Sequence, residues 1–177
     1  YNPYGKKPFP NDPKVIRWGV GKGIGYFPKI VVNKMNAVRK AVNKYTAIAT
    51  FIENGVRTAP FITNDIIVPC VGRTKQHTQG QNFWLCWEKG QVLTSTQEGA
   101  EYFIKYIPVK QEYRIHVLGG KAAFAQRKYV NDRFSSAFMG IQGFSDTWIT
   151  DVIDPKYIDS DLKKQAVNAV KSLGLDF

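Results

Sequence analysis

Acidic residues are scarce in this chain. Fourteen Asp and Glu stand against 25 Lys and Arg over 177 residues, a formal net charge of +11. Such an imbalance favours partners that carry phosphate: a nucleotide, a nucleic acid or an acidic peptide. It is steepest at the start, where residues 1–50 hold ten Lys and Arg against Asp12 alone. Long apolar runs are also lacking, and none approaches the roughly 18 residues that a membrane-crossing helix needs. No signal-peptide pattern is visible. Cysteine is limited to Cys70 and Cys86, without metal-ligand or redox spacing. That excludes a disulfide framework and predicts two buried thiols in a reducing compartment. The first residue is Tyr1 rather than Met, so a native N-terminus upstream is expected. What the chain does have is 44% hydrophobic and 22% charged residues, enough to bury a core and too apolar for disorder by composition.

Residues 1–13 carry four prolines and read as an extended arm. Val15-Ile16-Arg17-Trp18-Gly19-Val20 reads as a short strand. Glycines at 19, 21, 23 and 25 follow, but Tyr26-Phe27-Pro28 stands where a dinucleotide fingerprint needs a helix, so the stretch is a turn. The 3.6-residue spacing of Met35, Val38, Val42, Tyr45, Ile48 and Ile52 predicts a helix over 34–53, with Asn33 as N-cap, a break near Asn43 and Asn54-Gly55 as the stop. Strands are predicted at 66–73, 83–87, 91–94 and 102–107, with Glu88-Lys89-Gly90 as a tight hairpin between the second and third. Residues 96–100 read as a short helical turn. Gly119-Gly120 joins strands 112–118 and 121–128 as a two-residue hairpin. Residues 130–147 read as a loop. A last helix is capped by Asp159 or Ser160 and ended by Gly174, with Leu175-Asp176-Phe177 opening another strand.

Residues 66–121 carry the functional signal. An apolar strand ends on the cation Arg73, and the polar loop Lys75-Gln76-His77-Thr78-Gln79-Gly80 follows. A returning strand leads to the hinge Tyr106-Ile107-Pro108, and the next strand opens with Glu112. A protein that closes two sheets over a nucleotide needs this order. The cation faces phosphate oxygens, loop N–H groups cover them, the apolar hinge borders the base, and the carboxylate accepts from ribose hydroxyls. Plainer readings stand beside it. Lys44 reads equally as a solvated helix lysine, and His77 as an exposed loop residue rather than a base. Glu112 and Arg114 alternate onto one strand face, where a cross-strand salt bridge explains them as well as a ribose contact.

Across about residues 15–177 the ordered pieces resemble the ATP-grasp superfamily, and most closely its phage-encoded carboxylate–amine ligase-like branch. The pieces are Val15-Ile16-Arg17-Trp18-Gly19, then Asn43-Lys44 leading to Asn54-Gly55-Val56-Arg57-Thr58-Ala59-Pro60. Val71-Gly72-Arg73-Thr74, the loop to Gly80, Tyr106-Ile107-Pro108 and Glu112-Tyr113-Arg114-Ile115-His116-Val117 follow. The resemblance implies an α+β fold of two lobes around a nucleotide cleft. Residues 1–30 are then the arm and remnant of an N-terminal lobe, 31–64 helix and connector, 65–107 the small nucleotide-covering lobe and 108–177 an incomplete large lobe. It implies Lys44 and Arg73 on phosphate, with Arg73 where many members place a lysine, and Gly80 in the phosphate-covering loop. Ile104, Lys105, Tyr106 and Ile107 are implied against adenine, Glu112 on ribose, and Arg114 and Lys128 toward the acyl-phosphate site.

The implied reaction is ATP-dependent amide formation between a carboxylate and an amine through an acyl phosphate, in the cytoplasm of a host cell. Two departures stand out. The Arg-containing element that members carry before Gly-Trp is absent ahead of Trp148, leaving Arg133 as the substitute. No carboxylate cluster for Mg²⁺ is recognisable, and Asp146, Asp151 and Asp154 read as loop and turn residues. The Mg²⁺ ligands are therefore expected beyond residue 177. The competing expectation is a catalytically inactive binding or virion-associated module, whose Lys6, Lys7, Lys14, Arg17, Lys22 and Lys29 contact nucleic acid or a partner protein.

Overall fold

The computed structural model describes residues 14–16, 30–77, 82–109, 111–130 and 148–176. The proline arm, the glycine-rich turn, Gly80, the loop with Arg133 and Asp146, and Phe177 lie outside the described residues. The chain enters through β1 (Lys14–Ile16) and β2 (Ile30–Val32), which pair in parallel. Asn33 then turns the backbone in the left-handed region at φ 60° and is 4% exposed. Its N–H donates to Asp176 Oδ2 at 2.6 Å, and its Oδ1 accepts from the Asp176 N–H at 2.8 Å. Asn33 therefore does not cap the first helix. It clasps the far end of the chain, and Lys34 takes the N-cap position without a side-chain bond.

The expected helix over 34–53 is two, α1 (Met35–Val42) and α2 (Lys44–Glu53). Asn43 makes the break. It leaves helical geometry at φ −77°, ψ 103°, closes α1 with its N–H on Arg39 O, and opens α2 with its Oδ1 on the Thr46 N–H at 3.0 Å. A short polar side chain can end one helix and start the next because it supplies the acceptor that the new N-terminus lacks.

A four-stranded antiparallel sheet follows, in the order β3-β6-β4-β5. Its strands are β3 (Phe61–Ile62), β4 (Cys70–Arg73), β5 (Phe83–Cys86) and β6 (Tyr102–Lys105). The ladder of β4 starts only at Cys70, after Pro69, which has no N–H to give, and Ile66 and Ile67 stay 42% and 55% exposed. Cys70 and Cys86 face each other in register as free, fully buried thiols. Burial first, and then Cys86, pushes the Cys70 thiol up to about 11. With Val92 the two form a small core, lined by Ile62, Val68, Trp84 and Phe103.

Residues 91–94 are not a strand, and Glu88-Lys89-Gly90 is not a hairpin. Both belong to the start of α3 (Lys89–Gln97). Gln91 reaches back so that its Oε1 accepts from the N–H groups of Trp87 and Glu88, at 2.7 and 3.1 Å. Ser95 and Thr96 hydroxyls donate to carbonyls one turn earlier, at 2.7 and 2.8 Å, and Val92 and Ser95 face the sheet. Packing and local hydroxyl bonds override the β propensity of this run.

The second sheet is β7 (Gln111–Leu118), β8 (Lys121–Val130) and β9 (Trp148–Ile153), antiparallel in that order. Gly119 and Gly120, at φ 57° and 73°, make the expected two-residue turn. The last helix, α4 (Ser160–Leu173), is capped by Asp159, whose Oδ1 accepts from Asp161 and Leu162, and ends at Gly174 in the left-handed region. It packs on β7, β8, α1 and α2.

Gly72 marks where β4 has no room for a side chain. A Cβ there would lie 2.7 Å from Phe103 Cε1 and 3.1 Å from Ala100 Cβ. Gly72→Ala should destabilise the chain by roughly 1–3 kcal/mol through overpacking. Urea unfolding measures it, and an unchanged midpoint would show that Phe103 moves aside at no cost.

Candidate functional site

The Asn43 break sets Lys44 at the first turn of α2. There its N–H donates to Lys75 O at 2.7 Å and its Nζ to Ala41 O at 3.2 Å. The helix is held to the small sheet by stacked rings. Tyr45 lies 4.7 Å from Phe61 and 5.5 Å from Tyr102, and Phe61 lies 5.8 Å from Tyr102. Arg73 sits on β4, directly opposite Phe83 of β5 on one side and Tyr102 of β6 on the other. Its guanidinium lies 5.2 Å from the centre of the Phe83 ring. Helix and sheet thus bring two cations to one place.

That place is a cavity of about 660 Å³, in the size range of ligand sites. Lys44, Arg73, Ile104, Lys105, Tyr106 and Ile107, six of the expected residues, all line it. Its apolar wall includes Ala47, Ile48 and Phe51 of α2, Val71 and Phe83, with Leu173 of α4. Of these α2 residues only Ile48 stood on the predicted helix face; the 3.6-residue spacing did not single out Ala47 or Phe51. His77 also lines the cavity and is half-buried rather than exposed. Among the described lining residues none is an Asp or Glu.

The electrostatics follow from that. Burial lowers the Lys44 ammonium from its usual range, and Arg73 lowers it further. Burial also lowers Arg73, opposed by Tyr102, yet an arginine remains a cation at any working pH. Tyr102 is raised, chiefly by burial. A part-buried ammonium depressed by a neighbouring guanidinium, with no acid among the described lining residues, suits an anion.

The connection between the sheets is partly committed to itself. The Lys105 N–H donates to Pro60 O at 3.0 Å and the Tyr106 N–H to Pro69 O at 3.2 Å. Glu112, Arg114 and Lys128 are not brought into the cavity wall. They lie past the hinge on β7 and β8, with Glu112 opposite Lys128 and Arg114 opposite Gln126. The Oε1 of Glu112 is buried without a hydrogen-bond partner. Among the described residues, no group of three or more His, Cys, Asp or Glu is placed to hold a metal ion.

If Lys44 and Arg73 share one cavity, Arg73→Gln should raise the Lys44 pKa, because the largest charged contribution against its ammonium is gone. A ¹³Cε titration of labelled lysines reads this directly. An unmoved Lys44 would separate the two side chains.

No family model and no curated protein matches the sequence. Solved structures do. The D-alanine–D-alanine ligase from Bacillus anthracis superposes with a TM-score of 0.61 at 13% identity, over 81% of this chain and 53% of that one. The VanG D-Ala:D-Ser ligase from Enterococcus faecalis gives 0.58 at 13%, over 82% and 49%. The ATP-grasp ligase PsnB with its minimal precursor gives 0.56 at 16%, over 83% and 48%. The chain spans about half the length of these solved structures, and at this identity the likeness is one of fold. This α+β chain has the ATP-grasp fold.

Proposed function

We propose that the chain carries the nucleotide-binding part of an ATP-dependent ligase, of the phage-encoded branch, which joins a carboxylate to an amine. One observation carries the reading: inside an ATP-grasp fold, Lys44 and Arg73 converge on a cavity whose lining has no carboxylate. In this reading the two cations hold the phosphates, and the loop with Gly80 covers them. The adenine lies on the hinge and takes its N–H from Ile107, since those of Lys105 and Tyr106 already serve Pro60 and Pro69. Glu112 Oε1, an acceptor without a donor, suits a ribose hydroxyl. Arg114 and Lys128 face the acyl group as it is phosphorylated. ATP supplies the phosphoryl group that makes a carboxylate reactive toward an amine.

ATP bound to the Bacillus anthracis ligase and Mg with ADP bound to PsnB are parallels in similar folds. For Mg²⁺ the described residues do not fit.

Calorimetry on the protein tests the reading. ATP should bind, Arg73→Ala should weaken it by about 1.5–3 kcal/mol, and Glu112→Ala by about 1–3 kcal/mol. Equal ATP affinity in wild type and Arg73→Ala would end it. The chain of 177 residues should release no ADP with Mg²⁺ above a heat-killed control, and release would direct the search for metal ligands to Asp146, Asp151 and Asp154.

A further inference from the structure

Among the described cavity residues His77 is the one imidazole, and its ring is held in a defined tautomer. Its Nδ1 lies 2.8 Å from Thr74 O. A carbonyl can only accept, so Nδ1 carries the hydrogen, and in the neutral ring Nε2 keeps its lone pair. The ring is half-buried and lines the same cavity as Lys44 and Arg73. We propose that His77 is a proton-coupled third cation of the phosphate site, neutral in the free chain and protonated at Nε2 when nucleotide phosphate enters. The proposal rests on the nucleotide-binding reading above.

The surroundings give the direction. Burial lowers His77 below the usual histidine range and its Thr74 bond opposes that, while Arg73 and Lys44 lower it further. The other titratable groups on the cavity wall are Tyr102, Lys105 and Tyr106, none of them acidic in its neutral-pH form. The adjacent carboxylate of Glu101 is engaged. It accepts the Lys75 N–H at 2.7 Å and pairs with Lys75 Nζ at 3.6 Å. The described charges that act on the ring, Arg73 and Lys44, therefore oppose protonation until an anion arrives. A triphosphate reverses the local sign, and Nε2 then gains by taking a proton from solvent and donating it to a phosphate oxygen. Between the free and bound pKa of His77, binding consumes a proton. Affinity therefore rises as pH falls through that window.

The chain has two histidines, His77 and His116, so ring C–H resonances in NMR follow each separately. In EDTA, to keep divalent ions out, saturating ATP should raise the His77 pKa by about one unit or more, a ~10-fold gain in proton affinity. His116, on β7, serves as the reference. Calorimetry in two buffers of different ionisation enthalpy should show wild type taking up more protons than His77→Asn. That variant keeps a donor for Thr74 O but cannot titrate, and ATP's own protonation cancels in the difference. From about pH 8 to about 6, ATP affinity of wild type should rise relative to the variant. ATP binding with an unmoved His77 titration, or equal proton uptake in both proteins, overturns the proposal and leaves the ATP reading standing. No ATP binding by wild type overturns both. If His77→Asn does not fold, the wild-type titration decides alone.

Discussion

Two cations held together without an acid between them are the constraint on which the rest of this structure turns. Lys44 and Arg73 line one cavity, and the guanidinium opposes the charge of the ammonium. The three ring pairs of the aromatic cluster of Tyr45, Phe61 and Tyr102 contribute about 0.5–1.5 kcal/mol each beyond their area burial. The cluster joins the helix that carries Lys44 to the sheet that carries Arg73. The stacking thus holds the two cation-bearing elements together.

The site also depends on contacts between distant parts of the chain. Asn33 and Asp176, 143 positions apart, exchange two hydrogen bonds. Arg57 pairs with Asp161, and its N–H donates to Gln165 Oε1 at 3.0 Å, tying the connector after α2 to α4. Through these contacts α4 becomes the floor under α1 and α2, and its Leu173 reaches the cavity wall. A change far from Lys44 in sequence can therefore tilt the helix end on which Lys44 stands.

The sequence made legible what local chemistry decides. Gly119-Gly120 could only be a tight turn, Asp159 and Gly174 bracket α4, and Arg73 at the end of an apolar strand needed an anionic partner or a ring. What depended on tertiary context was hidden. The run Gln91-Val92-Leu93-Thr94 has the β-branched look of a strand, and only the reach of Gln91 back to residues 87 and 88 makes it a helix. Asn33 had the chemistry of a cap but found a partner at the other end of the chain. Strands β2 and β9 carry too little alternation to announce themselves, and their neighbours define them. His77 read as a loop residue because nothing local shows that residues 44 and 73 fold against it. Glu112, Arg114 and Lys128 lie on β7 and β8, the two strands expected for them.

The shortage of acids explains why the cavity stays cationic. The described carboxylates are nearly all engaged elsewhere. Asp159 caps α4, Asp154 accepts from the Lys156 N–H and Nζ, and Asp151 takes Arg127 at 3.1 Å. Glu98 accepts from Trp84 Nε1 at 2.8 Å, Glu101 holds Lys75, Asp161 holds Arg57 and Asp176 holds Asn33. Each assignment stabilises a helix end, a loop or a long-range contact, and none neutralises Lys44 or Arg73. Glu112 differs from these, with one oxygen buried and unmatched by any donor. Burying an unmatched acceptor costs about 1–3 kcal/mol, more when it is charged. The fold therefore leaves two kinds of polar group short of partners, cations in the cavity and a carboxylate oxygen beyond the hinge. A ligand that presents phosphate oxygens at one end and hydroxyl donors at the other would satisfy both.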